Sequence, residues 1–299
     1  MRWTRYLSME LVAGSVLLLV FAAVALAAPL LAPPGEGDPY AIPGLGIAIP
    51  PAEPSPNHPL GLMAGQHDIL YGIVWGTRVA FKVGLLVTAA RALFGVLMGL
   101  LAGYLGGLFD AALMRVTDAF MAFPIFIAVM VMSTLLQFGP FRGRQGGVQT
   151  ILALALILFG WMQYARLVRG NVLAERSKEY VQAAIAVGVR ARSIIFRHVL
   201  RNCVAKGLFV LMASDVGAMV VLMSMFSFIG VGGGARPVAD WGQMLGLSRD
   251  WIIGAPGTGF QYWYTFIPAS MAILIFAVAW NLVGDGLDAL LDPRLRRSR

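Results

Sequence analysis

Residues 81–104 read FKVGLLVTAARALFGVLMGLLAGY, an unbroken apolar run whose only charges are Lys82 and Arg91. A bilayer core about 30 Å thick needs roughly 20 apolar residues per helical crossing, and this run is long enough. It is rich in Leu, Ala and Val and lacks the period-two alternation of a lipid-facing strand, so the pattern predicts a helix, not a barrel strand. The same test finds five more runs: Leu11 to Leu31, Val116 to Leu136, Val148 to Leu167, Leu208 to Ile229 and Trp263 to Val283. The expected fold class is all-α, a polytopic membrane protein with six transmembrane helices. Of 299 residues, 59% are hydrophobic and 13% charged, a balance that a water-soluble domain of this length does not show.

A net charge of +8 would point to nucleic acid in a soluble protein. Here the placement of the cations matters more than their sum. With the amino terminus in the cytoplasm, the inner segments hold Arg2, Arg5, Arg115, the dense set from Arg166 to Lys206, and Arg294, Arg296, Arg297 and Arg299. The outer loops hold Arg78 at a span edge, Arg142, Arg144, Arg236 and Arg249. Both termini are therefore expected in the cytoplasm, with membrane lipid and no nucleic acid as partner. The single Cys203 excludes an internal disulfide. Arg2 and Arg5 before an apolar run ending at Ala28 mimic a secretory signal, but the run is long enough to span and Pro29 opposes cleavage, so the segment is expected to stay attached.

These signals divide the chain into an N-terminal helix (1–32), a Pro- and Gly-rich outer loop (33–76), a five-helix core (77–290) and a basic tail (291–299). Within the outer loop the spacing allows a short amphipathic helix at the surface from Asp68 towards Trp75. The loop from Gly230 to Tyr262, with Trp241 and Trp251, reads as turns and interfacial anchors. The core carries one long inner loop, about 168–207, and a loop of that length without structure would be unusual.

That loop contains EYVQAAIAVGVRARSIIFRHVLRN, Glu179 to Asn202. Tyr180, Ala183, Ala184 and Val187 follow i, i+3, i+4, i+7 spacing and predict one helix face. Ala184 and Gly188 on that side are small enough for another surface to approach, and Glu179 suits the positive end of a helix starting near Ser177. Such a face can dock into a partner's groove. Taken alone, the loop fits better a solvated basic helix on anionic lipid heads, with Arg190, Arg192 and Arg197 facing the membrane.

The segment resembles the cytoplasmic loop of bacterial ABC importer permeases, which carries Glu-Ala-Ala, a Gly four residues beyond the second Ala, and a downstream Leu-Pro. This chain has Gln182-Ala183-Ala184, Gly188 and Leu200-Arg201. The likeness runs from about Asn57 to the carboxyl end and points to the peptide and nickel branch, in particular its shorter, second permease. It is carried by HPLG (58–61), GTR (76–78), GLLAGYLGGLFDAALMRVTDAFMAFP (99–124), FRHVLRN, FSFIGVG (226–232), WGQML and NLVGDGLDALLDPRLR. Met223 stands where such permeases often have Glu.

The resemblance implies the type I ABC importer permease fold in the bacterial inner membrane. It implies that Glu179, Tyr180, Gln182, Ala183, Ala184, Val187 and Gly188 couple to an ATP-binding subunit. The partners implied are a homologous second permease, two ATP-binding cassette subunits and an extracytoplasmic solute-binding protein. No cofactor is implied on this chain, ATP and Mg being held by partner subunits; relatives of this type carry peptides, glutathione, nickel complexes or sugars.

Inside the spans, Lys82 is close enough to an interface to snorkel, whereas Arg91 lies about 13 Å further along. A lone cation at that depth costs about 2.5–3.5 kcal/mol on insertion scales, so Arg91 is expected to face protein or water. Asp215 is its candidate partner, either in a structural pair or on the solute pathway. Asp118, Asp285 and Asn281 read as helix-to-helix hydrogen bonds, and Pro124 and Pro268 as points where a span loosens. No GxxxxGK[ST], HExxH or GxSxG pattern occurs, so the chain is not expected to hydrolyse ATP or act as a common protease. The rival readings are an ion-gradient-driven transporter with Arg91 and Asp215 as relay, which usually shows internal symmetry, and a scaffold that only recruits a cytoplasmic protein.

Overall fold

Long helices form where the apolar runs were found, and one short hairpin is the only paired strand among the described residues. The computed structural model describes residues 8–35, 37–45, 47, 49–137, 147–189, 193, 207–231, 237–253 and 260–291. The elements are α1 (Met9–Leu31), β1 (Leu62–Met63), β2 (His67–Asp68), α2 (Ile69–Leu105), α3 (Gly107–Ala122), α4 (Ile125–Gln137), α5 (Gly147–Leu158), α6 (Met162–Arg176), α7 (Glu179–Ala186), α8 (Gly207–Ile229), α9 (Trp241–Leu247), α10 (Arg249–Ile253) and α11 (Trp263–Leu291).

Among the described residues, five helical stretches are long and apolar enough to cross a membrane: α1, α2, Thr150–Arg176, α8 and α11. The sixth expected span, Val116 to Leu136, is a pair: α3 and α4 meet at a 91° bend. Pro124 has no N–H to continue the ladder, and Phe123 N–H instead closes a tighter turn onto Phe120 O at 3.2 Å.

The expected surface helix from Asp68 to Trp75 is instead the first two turns of α2. Asp68 caps it, its Oδ1 accepting from Tyr71 N–H at 2.8 Å. Ile69, Val74 and Trp75 are buried. Polar-looking breaks in the sequence here are seats for another helix: a Cβ on Gly76 would lie 2.3 Å from Trp241 Nε1, and one on Gly72 2.8 Å from Met244 Cε. Trp241 is thus a core residue of α9, 2% exposed, and not the interfacial anchor the sequence implied. The outer loop is also tied down, through the β1–β2 hairpin and the bridges Ala41 to Val238 and Ala52 to Leu62.

Apolar surface gives no preference for protein over lipid tails, so helices inside a membrane associate through close packing of small residues. On α2, Gly95, Gly99 and Gly103 face α6, where added Cβ atoms would meet Trp161 O at 2.5 Å, Ala165 O at 2.5 Å and Val172 Cβ at 2.8 Å. Gly14 of α1 lies against Ala279 O of α11 in the same manner, at 2.8 Å.

Pro29 sits inside α1 and leaves the carbonyl of Ala25 without its helical donor. Arg78 Nε donates to that oxygen at 2.5 Å, and Trp75 Nε1 donates to Ala32 O at 2.9 Å. The Arg78 guanidinium stacks 4.9 Å over the Trp75 ring, so two residues one turn apart on α2 hold the end of α1 by its free carbonyls.

Candidate functional site: a buried ion pair and a projecting helix

Arg91 is 2% exposed in the middle of α2. Its Nη1 donates to Asp215 of α8 at 2.9 Å, and the second carboxylate oxygen accepts from Tyr164 OH of α6 at 2.8 Å. The guanidinium lies flat against Gly160 at the α5–α6 break, where a Cβ would fall 1.9 Å from Arg91 Nε. Met219 Sδ is 2.6 Å from Nη1. The structure therefore brings the two suspected residues together and adds Tyr164 and Gly160, which the sequence did not flag. A tyrosine on a distant span gives no local signal, and a glycine beside an aromatic reads as an ordinary break. Arg91 Nε and Thr88 Oγ1 are buried without a partner among the described residues. The other charged cation of that run, Lys82, is exposed and lies 6.0 Å from the Tyr40 ring, as a snorkelling side chain does.

The second place is α7. Its two turns start at Glu179 and are rooted on one side only: Val181 is 1% exposed against the α2–α6 core, and Ala184 packs on the same cluster. Tyr180, Gln182, Ala183, Val187 and Gly188 are exposed. The face drawn from spacing alone is thus corrected by a partial rotation, with Ala184 turned inward and Val187 lying past the helix end. Gly188 also ends the helix. It has φ +75° and nothing near its Cα, and Val189 N–H reaches back to Ala184 O at 3.0 Å, closing a Schellman-type stop. Leu200 and Arg201, Arg190, Arg192 and Arg197 lie outside the described residues, as does the rest of the loop to residue 206 apart from Ser193.

The root of α7 is polar. Glu175, 6% exposed, accepts from Tyr180 OH and pairs with Lys178 Nζ at 2.6 Å. Gln182 Nε2 donates to Arg176 O at 2.9 Å, and Arg176 Nη1 to Tyr104 O at 3.0 Å. Asp118, expected in a helix-to-helix bond, pairs with Arg166 of α6, whereas Asn281 bonds to Ala277 O of its own helix at 3.0 Å.

A third carboxylate, Asp240, is buried between α8 and α9. It caps α9, accepting from Gly242 N–H at 2.8 Å and from Ser227 Oγ at 2.7 Å. No cation faces it among the described residues, and burial pushes its carboxyl above the ordinary range, with the Ser227 hydroxyl and the Gly242 and Gln243 backbone N–H groups pulling it part of the way back. It lines a narrow cleft with Met223, Ser224 and Val83. Among the described residues no three His, Cys, Asp or Glu side chains gather as a metal would require.

Close-packed apolar helices long enough to span a bilayer, with an ion pair buried among them, define an α-helical membrane protein. Residues 95–297 match the family described as "Binding-protein-dependent transport system inner membrane component", and the chain belongs to that family. It is 32% identical to the glutathione transport system permease protein of Pectobacterium atrosepticum, over 81% of this chain and 75% of that one. It is 34% identical to the probable D,D-dipeptide transport system permease protein of Escherichia coli, over 86% and 79%. The likeness to the dipeptide transport system permease protein of Bacillus subtilis, 31% identical, extends over 99% of this chain and 85% of that one. The protein is a membrane-spanning permease subunit of an ABC importer, a class that works with ATP-binding and substrate-binding partners. The ion-gradient alternative is thereby set aside.

Proposed function

We propose that this permease forms half of an inner-membrane pathway for short peptides, completed by a homologous second permease and driven by two ATP-binding subunits that hold the ATP and Mg. A solute-binding protein delivers cargo to the face that carries the β1–β2 hairpin. Both termini and α7 lie in the cytoplasm. The supporting observation is the form of α7: a short helix fixed to α6 along one side by Val181, Ala184 and Glu175, with Tyr180, Gln182, Ala183, Val187 and Gly188 exposed. A rooted projection of this kind seats in a groove and passes on a push, which a mobile loop does not. The peptide cargo rests on the relatives' names. Arg91 and Asp215 are assigned to holding α2, α6 and α8 together, since neither side chain is more than 8% exposed.

The test is reconstitution with the cognate partners. Uptake of radiolabelled di- and tripeptides, stimulated by ATP and by the binding protein, is expected, and Gly188→Trp is expected to abolish stimulated ATPase and assembly together while leaving membrane insertion intact. Full ATPase stimulation in that variant overturns the docking role; uptake of a sugar in preference to peptides overturns the cargo. A thiol introduced at exposed Ser55 should label from outside the cell and one at exposed Ser177 should not, and the reverse pattern overturns the orientation.

A further inference from the structure

α3 is poorly packed: of its sixteen residues only Thr117 is buried. Apart from its junction with α2 at Gly106, it is held to α6. Leu113 and Phe120 rest on Trp161, Met162 and Ala165, and two acids reach two arginines. Asp110, in the first turn, receives Arg169 Nε at 2.5 Å and Nη2 at 2.6 Å, a bidentate pair whose carboxylate is 13% exposed. Asp118, eight residues on, pairs with Arg166, one turn before Arg169. The same α6 is closed onto α2 by Gly95, Gly99 and Gly103 and runs into α7 through Glu175, Lys178 and Tyr180. At its far end α3 meets α4 at the 91° bend.

We propose that Asp110 and Arg169 are positioning residues for energy coupling: they make α3 travel with α6 when α7 is displaced, so that the motion reaches the bend and α4. This rests on α7 being the docking element. A bidentate guanidinium–carboxylate pair resists both sliding and rotation, which a single apolar contact or a lysine point charge does not. Loss of the fork leaves α3 held to α6 by the apolar contacts of Leu113 and Phe120 and by the exposed Asp118–Arg166 pair, which resist slip along the groove less well.

The experiment uses the complete transporter in lipid, with Cys203 replaced by Ser and spin labels either at Ser177 and Leu19 or at Met121 and Leu19. ADP with vanadate is compared with the nucleotide-free state. In the otherwise unaltered chain both distances are expected to shift. Asp110→Asn is expected to keep the Ser177 shift and to lose most of the Met121 shift. Arg169→Lys, which keeps the charge and loses the fork, should fall between them, and the exchange of Asp110→Arg with Arg169→Asp should restore the shift. An unchanged Met121 shift in Asp110→Asn overturns the proposal, as does an exchange variant no better than the single one. If Ser177 does not move even in the unaltered chain, it is the docking role of α7 that fails, and the role of the Asp110–Arg169 pair with it.

Discussion

Arg91 and Asp215 meet where α2, α6 and α8 come together, their side chains 3% and 8% exposed, whereas Arg166 and Asp118 meet on the outside of α6 and α3 at 46% and 58%. The residue types are the same and the consequences differ. In the first place water is excluded, each ion has lost its hydration, and removal of one partner strands the other. In the second, solvent already stabilises both ions and salt screens their attraction. The inner pair therefore specifies which helices meet, and the outer pair trims a contact that others could make. Asp240 is a third case, buried like Asp215 but with no cation facing it among the described residues, so burial raises its pKa.

The contrast is broken most directly at Asp215. Asp215→Ala should lower the stability of the purified assembly by about 3–5 kcal/mol, and adding Arg91→Leu should return most of it, because the stranded charge is then gone. A double-mutant cycle with no coupling energy would make the inner pair equivalent to the outer one. Gly160→Ala comes next. Its methyl group would occupy the Arg91 guanidinium site, and the expected loss is about 1–3 kcal/mol, falling towards nothing when Arg91 is already Leu. Thermal melts of the four combinations measure this.

Gly188→Ala tests the projecting helix with a smaller effect: φ +75° costs an L-residue about 1 kcal/mol, so ATPase stimulation should weaken, while Gly188→Asn should be nearly silent. Asp240→Asn addresses the uncompensated carboxylate. Its folded-state pKa is raised, so the wild-type residue contributes stability that is full below the ordinary aspartate value and is lost as pH rises through the folded one. Melts of variant and wild type should therefore diverge in the variant's favour as pH rises from the acid range. Parallel curves would mean that Asp240 is charged without penalty. The smallest effect belongs to Asp118→Asn, within about 0.5 kcal/mol and vanishing at high salt.

How far the chain could be read before it was seen in three dimensions varied with the range of the interaction. Spans were legible because a bilayer imposes length and polarity on a contiguous run, as at 81–104. Arg91 was legible because a cation at that depth has few places to go, and Asp215 was one of few acids within reach. What failed was phase and seat. Gly72, Gly76 and Trp241 read as loop and interface because the sequence shows their polarity and size but not that one helix is pressed into another. In α7 the i, i+4 rule found a helix but could not rank its faces, since Val181, the inward residue, differs little from Val187 in chemistry. Tyr164 gave no sign at all: its hydroxyl matters only through a partner on α8.

The hold of Arg78 on Ala25 has a consequence for how the protein is made. Ala25 and Arg78 are 53 positions apart. At a synthesis rate of roughly 5–20 residues per second, α1 emerges several seconds before its donor. Until then the carbonyl that Pro29 has freed faces hydrocarbon or must be kept near the headgroups, at a cost of several kcal/mol if unsatisfied. The proline and the arginine thus tie the two helices together during insertion: the carbonyl freed in α1 gains its donor when α2 arrives beside it.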